Sequence, residues 1–195
     1  AAAQTVWWIR QSSNQAVRIV PFGLTGNGTS QFDTPIPGDY DGDGKFDIAV
    51  YRFGLTPINS YIVQRSSDNA ITWQQWGNFN TDYIAPGDFD GDGKFDLVAV
   101  RLNALGTQMT WFIRRSSDGG TRIQNWGISQ NGGAAQDLPT QGDYDGDGVT
   151  DISVWRPSAA GSDSAFYTFA SFTGTPLINN WGLNGDFCVN AFDAR

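Results

Sequence analysis

Apolar and polar residues alternate in short segments along this chain. Tyr61-Ile62-Val63-Gln64-Arg65 and Thr121-Arg122-Ile123-Gln124-Asn125-Trp126 show the two-residue period of a strand with one covered face. Apolar runs at Ile48-Ala49-Val50, Leu97-Val98-Ala99-Val100 and Ile152-Ser153-Val154-Trp155 each follow an Asp/Gly-rich segment. An aromatic run ending in serines recurs at Tyr61 to Ser67, Trp111 to Ser117 and Trp7 to Ser13. A further segment closes on Trp-Gly, at Trp76-Gly77, Trp126-Gly127 and Trp181-Gly182, with Phe22-Gly23 in that place near the start. Each unit therefore predicts four short strands: one entering the acidic segment, one leaving it, an aromatic strand, and one ending in Trp-Gly. Ser-Ser-Asp-Asn and Ser-Ser-Asp-Gly-Gly supply hairpin residues between the third and fourth.

The acidic segments align as Gly38-Asp39-Tyr40-Asp41-Gly42-Asp43-Gly44, Gly87-Asp88-Phe89-Asp90-Gly91-Asp92-Gly93 and Gly142-Asp143-Tyr144-Asp145-Gly146-Asp147-Gly148, spaced by 49 and 55 residues. Four-stranded units of that length are the signature of propeller blades, whereas a parallel β-helix uses shorter repeats. The expected fold is all-β: a propeller of about four four-stranded blades in one domain, 1–195. Its parts are an N-terminal part-blade 1–34, repeats of about 35–81, 82–136 and 137–185, and a closing strand 186–195. The last blade is expected to be composite. The N-terminal segment brings its third and fourth strands, and about Cys188 to Phe192 brings its first. No second strand is evident, so that blade is three-stranded, is filled by residues 1–6, or is completed by another chain. Closure of this kind leaves few free sheet edges.

Composition sharpens the picture. The chain holds 20 Asp and no Glu, 10 Arg and 2 Lys, for a net charge of −8. The near absence of Glu and Lys beside 24 Gly and 13 Phe argues against exposed helices. No histidine is present, which excludes serine triads and histidine-bound zinc. The single cysteine, Cys188, forbids an internal disulfide and a thiolate cluster. The acidic balance disfavours nucleic acid, and no apolar run reaches the roughly 18 residues a membrane helix needs. Ala1-Ala2-Ala3 has neither a charged flank nor an apolar stretch behind it, so a signal peptide is not expected there.

The pattern Asp-x-Asp-Gly-Asp-Gly-x-x-Asp places carboxylates at loop positions 1, 3, 5 and 9: Asp39, Asp41, Asp43 and Asp47; Asp88, Asp90, Asp92 and Asp96; Asp143, Asp145, Asp147 and Asp151. Four carboxylates in nine residues repel unless a cation neutralises them. Oxygen-only ligation at these offsets suits calcium, with the backbone carbonyl at position 7 (Lys45, Lys94, Val149) as a further ligand. Magnesium prefers fewer carboxylates and keeps its waters. An EF-hand would need Glu at position 12, where Val50, Ala99 and Val154 stand inside strand-like runs. The expected cofactor is about three structural Ca²⁺, which would bring the net charge from −8 to −2.

Asp-Tyr-Asp-Gly-Asp-Gly-Lys-Phe-Asp-Ile-Ala-Val-Tyr-Arg, followed by Ser-Ser-Asp and Trp-Gly, resembles FG-GAP/VCBS-type repeats, and the integrin α-subunit propeller carries similar loops. The resemblance implies propeller blades with structural calcium between the first and second strands and with ligands bound elsewhere. Integrin-like propellers have about seven blades, whereas this chain holds material for about four. A fourth acidic loop is missing.

Other residues read as structural. Trp76, Trp126 and Trp181 recur at strand ends, as packing between blades would require, while Trp8 and Trp73 fall outside that position and are candidates for exposure. Arg52, Arg101 and Arg156 are expected to pair with loop carboxylates or backbone carbonyls, and Asp33, Asp82, Asp137 and Asp186 to cap loops or bind backbone amides. Acidic loops and Ser-Ser turns should share one face. The other face carries the variable segments 23–34, 52–60, 77–83, 101–108, 127–138 and 156–164, where a glycan or protein ligand is expected. A pair of carboxylates for glycoside chemistry is not evident, so the chain is not expected to be an enzyme. The expected role is non-catalytic adhesion or recognition, outside the cell or on its surface. The alternative is a structural subunit of a homo-oligomer or filament joined by strand complementation, and a polysaccharide-active enzyme ranks below both.

Overall fold

The computed structural model describes residues 3–26, 33–53, 58–78, 82–103, 108–129, 136–158, 163–183, 185, 186 and 188. Most of the expected closing strand, and the middle of each variable segment, lie outside these. Among the described residues all regular structure is β, and no helix is long and apolar enough to cross a membrane.

β1 (Gln4–Arg10) and β2 (Val17–Leu24) form a two-stranded hairpin. Three four-stranded antiparallel sheets follow, each in chain order. The first is β3 (Asp33–Pro35), β4 (Ile48–Arg52), β5 (Ile58–Gln64) and β6 (Ile71–Asn78). The second is β7 (Asp82–Ile84), β8 (Leu97–Arg101), β9 (Thr110–Arg114) and β10 (Thr121–Asn125). The third is β11 (Leu138–Pro139), β12 (Ile152–Arg156), β13 (Ala165–Phe169) and β14 (Pro176–Asn180). The four strands expected per repeat are therefore all present.

The sheets stack face on face, which is why the second strands are buried without a break up to their arginine rather than alternating. Successive β4 side chains point to opposite faces. Ile48 and Val50 pack with Phe22 and Ile62 against Trp7, Ile9 and Val20 of the hairpin. Ala49 and Tyr51 pack the other way with Ile36, Tyr61, Val63 and Leu97 of the second sheet. Val98, Val100, Trp111 and Ile113 then meet Ile152 and Val154 of the third.

Polar bonds cross the same seams. The Tyr61 hydroxyl donates to the Val98 carbonyl at 2.7 Å. The Trp76 indole donates to Phe112 O at 3.1 Å, and Trp126 donates to Tyr167 O at 2.9 Å. The repeated tryptophans thus pin one sheet to the third strand of the next. Gly77 allows this with φ +89°, and a Cβ there would lie 2.5 Å from the Tyr51 hydroxyl. Trp181 holds the same position in the last sheet but is 77% exposed; Trp8 and Trp73 are exposed as expected. Among the described residues the four sheets form an open series, and no closed ring is present.

Candidate metal centres

Each acidic loop joins the first and second strands of a sheet, and a bridge between its ends closes it: Gly38 with Asp47, Gly87 with Asp96, Gly142 with Asp151. Inside the loop the first aspartate organises the backbone. Asp39 accepts from Gly42 N at 2.7 Å and Gly44 N at 2.8 Å, and Asp88 and Asp143 do the same with Gly91, Gly93, Gly146 and Gly148. Gly42 and Gly44 have φ of +80° and +81°, a conformation glycine adopts without strain. The amides of Lys45, Lys94 and Val149 donate to the fifth-position carboxylates of Asp43, Asp92 and Asp147.

The expected sharing of one end by acidic loops and serine turns takes the form of direct bonding. Ser66 Oγ donates to Asp43 at 2.8 Å and Ser67 Oγ to Asp41 at 2.6 Å. Ser116 donates to Asp92 and Ser117 to Asp90. In the third repeat Ser171 donates to Asp147, while Phe172 replaces the second serine and its amide reaches Asp145. The ninth-position aspartates tie the two segments together. Asp47 accepts from Tyr40 N (2.9 Å) and Ser66 N (2.7 Å), Asp96 from Phe89 N and Ser116 N, and Asp151 from Tyr144 N and Ser171 N. The serines are thus more than the turn residues that the sequence predicts. Their recurrence 23 or 24 residues after the fifth-position aspartate is the signal in the chain for this clamp.

Three carboxylates per loop offer oxygens within 4.8 Å of one another: Asp39, Asp41 and Asp43; Asp88, Asp90 and Asp92; Asp143, Asp145 and Asp151. These clusters could hold metal ions. One atom tests the fit. Asp90 Oδ1 is buried without a hydrogen-bond partner, an arrangement that costs free energy unless a cation satisfies it. An all-oxygen set of this kind suits a hard divalent cation.

Electrostatics within the loops divide by depth. Burial pushes Asp96 up to about 7, and burial also raises Asp47 and Asp151. The Ser66 hydroxyl bond, foremost, holds the shallower, half-buried Asp43 below its ordinary value. A carboxyl raised in the folded state keeps its proton where the unfolded chain has lost it. Its stabilising contribution is complete below the unfolded value near 4 and is lost as pH climbs through about 7. In a chelator, the melting temperature should fall between about pH 5 and pH 8. A saturating cation, which needs the ionised carboxylates, should flatten or reverse that slope.

At the other end of the strands the arginines depart from expectation. Among the described residues they meet neither the acidic-loop carboxylates nor backbone carbonyls. Arg52 pairs in bidentate fashion with Asp33 (2.8 and 2.8 Å), Arg101 with Asp82 (2.8 and 3.0 Å), and Arg156 with Asp137 (2.7 and 2.8 Å). Strand rise explains it: five residue steps carry Arg52 about 16 Å from Asp47. The aspartates also accept the amides of Leu24, Asn78 and Ile128, as a loop-capping role required, and Asp186 accepts from Leu183. These pairs tie together the described ends of the variable segments.

Residues 88–154, from the second acidic loop through most of β12, match the family described as FG-GAP-like repeat, so the chain carries an FG-GAP-type repeat. No curated protein and no solved structure matches the chain.

Proposed function

We propose that the chain is a calcium-braced set of β-propeller blades acting outside the cell or on its surface, in non-catalytic adhesion or recognition of a glycan or protein. The observation that carries the reading is the threefold convergence of loop carboxylates, with Asp90 Oδ1 buried and unpartnered in one of them. Calcium fits better than magnesium because the ligands are numerous carboxylates, supplemented at position 7 by the carbonyls of Lys45, Lys94 and Val149. Bound there, the ion would neutralise the clustered charge and brace loop against serine turn; it would take no part in a reaction. Of Asp33, Asp82, Asp137 and Asp186, the first three are consumed by arginine pairs and have no exposed side-chain surface. A glycan and matrix-protein array probed in calcium should give calcium-dependent binding. Turnover of a polysaccharide by the folded chain would replace this reading with an enzymatic one.

A second reading, closure or assembly through the end sheets, is favoured by Trp181. Its counterparts Trp76 and Trp126 donate to Phe112 and Tyr167, and the repeat aligns those acceptors with Trp8 of β1, which is itself 72% exposed. The hairpin of this chain or of a second copy could complete the seam. Light scattering over a range of concentration separates the two: a monomer at every concentration rejects assembly.

A further inference from the structure

The seams between successive sheets follow one plan, so a position that changes chemistry from seam to seam stands out. Between the second and third sheets, Phe169 of β13 sits 5.4 Å from the Trp126 ring and fills the seam. The same repeat position between the first and second sheets is Arg114 of β9, its guanidinium 5.8 Å from the Trp76 ring. Two neighbours change with it: Lys94 stands where the next repeat has Val149, and Arg115 where it has Ala170. Where one seam is packed with apolar side chains, the other is left open as a cavity of about 380 Å³ with Lys94 and Arg114 in its wall.

We propose that this cavity binds one acidic sugar unit, with its anionic group held by Arg114 and Lys94. The charges lack internal partners. Among the described residues neither Arg114 nor the Lys94 ammonium has a carboxylate within ion-pair distance, although the chain is strongly acidic. The adjoining Arg65 and Arg115 are already occupied, by Asp68 and Asp118 of their own turns. A half-buried guanidinium without a counter-ion is costly, and its planar fork matches a carboxylate or sulfate. Lys94 is kept at the wall by Gly42, where a Cβ would come 2.9 Å from Lys94 Cε.

The rest of the wall suits a polyhydroxylated ring rather than a bare anion. Thr72 and Gln74 of β6 offer neutral hydrogen-bonding groups, and the Tyr40 and Phe95 rings offer apolar surface to the C–H face of a sugar. The volume lies at the small end of the roughly 300–1,000 Å³ typical of small-molecule sites. Asp41 also lines the cavity, but its carboxylate accepts Ser67 Oγ and belongs to the first metal cluster, where a cation would cancel its charge. The proposal rests on the recognition role above and supplies its ligand class. It places the ligand in the seam at the acidic-loop end rather than on the variable face.

The test is an NMR titration in saturating calcium, following the Arg114 Nε–H and Gly119 amide signals. The probes are glucuronate, glucose 6-sulfate, glucose and N-acetyl-aspartyl amide. Glucuronate or glucose 6-sulfate should give saturable shifts, with glucose at least ten-fold weaker; whichever acid binds tighter tells carboxylate from sulfate. Arg114→Phe, which copies the packed seam, should abolish the shifts of the Gly119 amide and keep the calcium-dependent rise in melting temperature. If that variant fails to fold, Lys94→Val, which copies the residue at this position in the next repeat, should weaken binding at least ten-fold. Saturable binding by neither acid, equal binding of glucose or of the aspartyl amide, or unchanged binding in a folded variant would overturn the assignment. Binding without any calcium effect on melting would leave this site standing and remove the metal reading instead.

Discussion

Addition of EGTA to the calcium-loaded protein should lower its melting temperature by on the order of 20 °C. At a hundredfold excess over Kd, one site that binds only the folded state contributes about 2.7 kcal/mol. The three loops sit on separate sheets, so their contributions should be close to additive, about 8 kcal/mol together. For a chain of this size each kcal/mol is worth roughly 2–4 °C. The sign follows from the loops themselves, because removing the cation leaves each cluster of carboxylates facing itself and strands Asp90 Oδ1. Magnesium at the same concentration should restore only part of the loss. A melting curve that EGTA does not move would show that hydrogen bonds from the glycine amides and serine turns hold the loops alone.

The second large effect is expected at the opposite end of the strands. Arg52→Met should cost about 3 kcal/mol, or on the order of 10 °C in melting temperature. The Asp33 side chain has no exposed surface, and the Arg52 side chain is only 18% exposed. Without the guanidinium, Leu24 N is the one donor left to the carboxylate among the described residues, and its remaining charge is buried unpaired. The figure is set at the low end of the range for breaking a buried pair because Arg52 keeps some contact with water. Arg65→Met is the matched control. Arg65 and Asp68 are 37% and 49% exposed, three residues apart in a turn, and loss of this solvent-screened pair should leave the melting temperature nearly unchanged. Equal melting temperatures for the two variants would mean that the Asp33 pair is structurally idle.

Part of this architecture can be read directly from the chain. Ile48-Ala49-Val50 and its two counterparts are recognisable as strands covered on both faces, and they are β4, β8 and β12. The acidic loops can be placed between first and second strands because the strands flanking them repeat. Trp76 and Trp126 are legible as packing residues for the same reason. The arginines are not. Arg52 is five residues from Asp47 and nineteen from Asp33, and proximity in sequence points to the wrong acid. Only the pairing of β3 with β4, which sets Asp33 directly opposite Arg52, brings the true partners together. The serine clamp escapes for a similar reason, since Ser66 and Asp43 meet across two connections at the same end of a sheet, 23 residues apart.

Local elements follow from the chain alone: strand periodicity, the glycines that let the acidic turns form, and the carboxylate spacing within each turn. These depend on interactions within a few residues, and a repeated pattern reports them several times over. What faces what is settled only in three dimensions. The seam between the first two sheets is charged and hollow, the next one apolar and filled, because Arg114 and Phe169 project from equivalent positions toward tryptophans contributed by a different sheet. Such contacts join residues some 40 positions apart, and no local pattern in the chain encodes the neighbour across the gap.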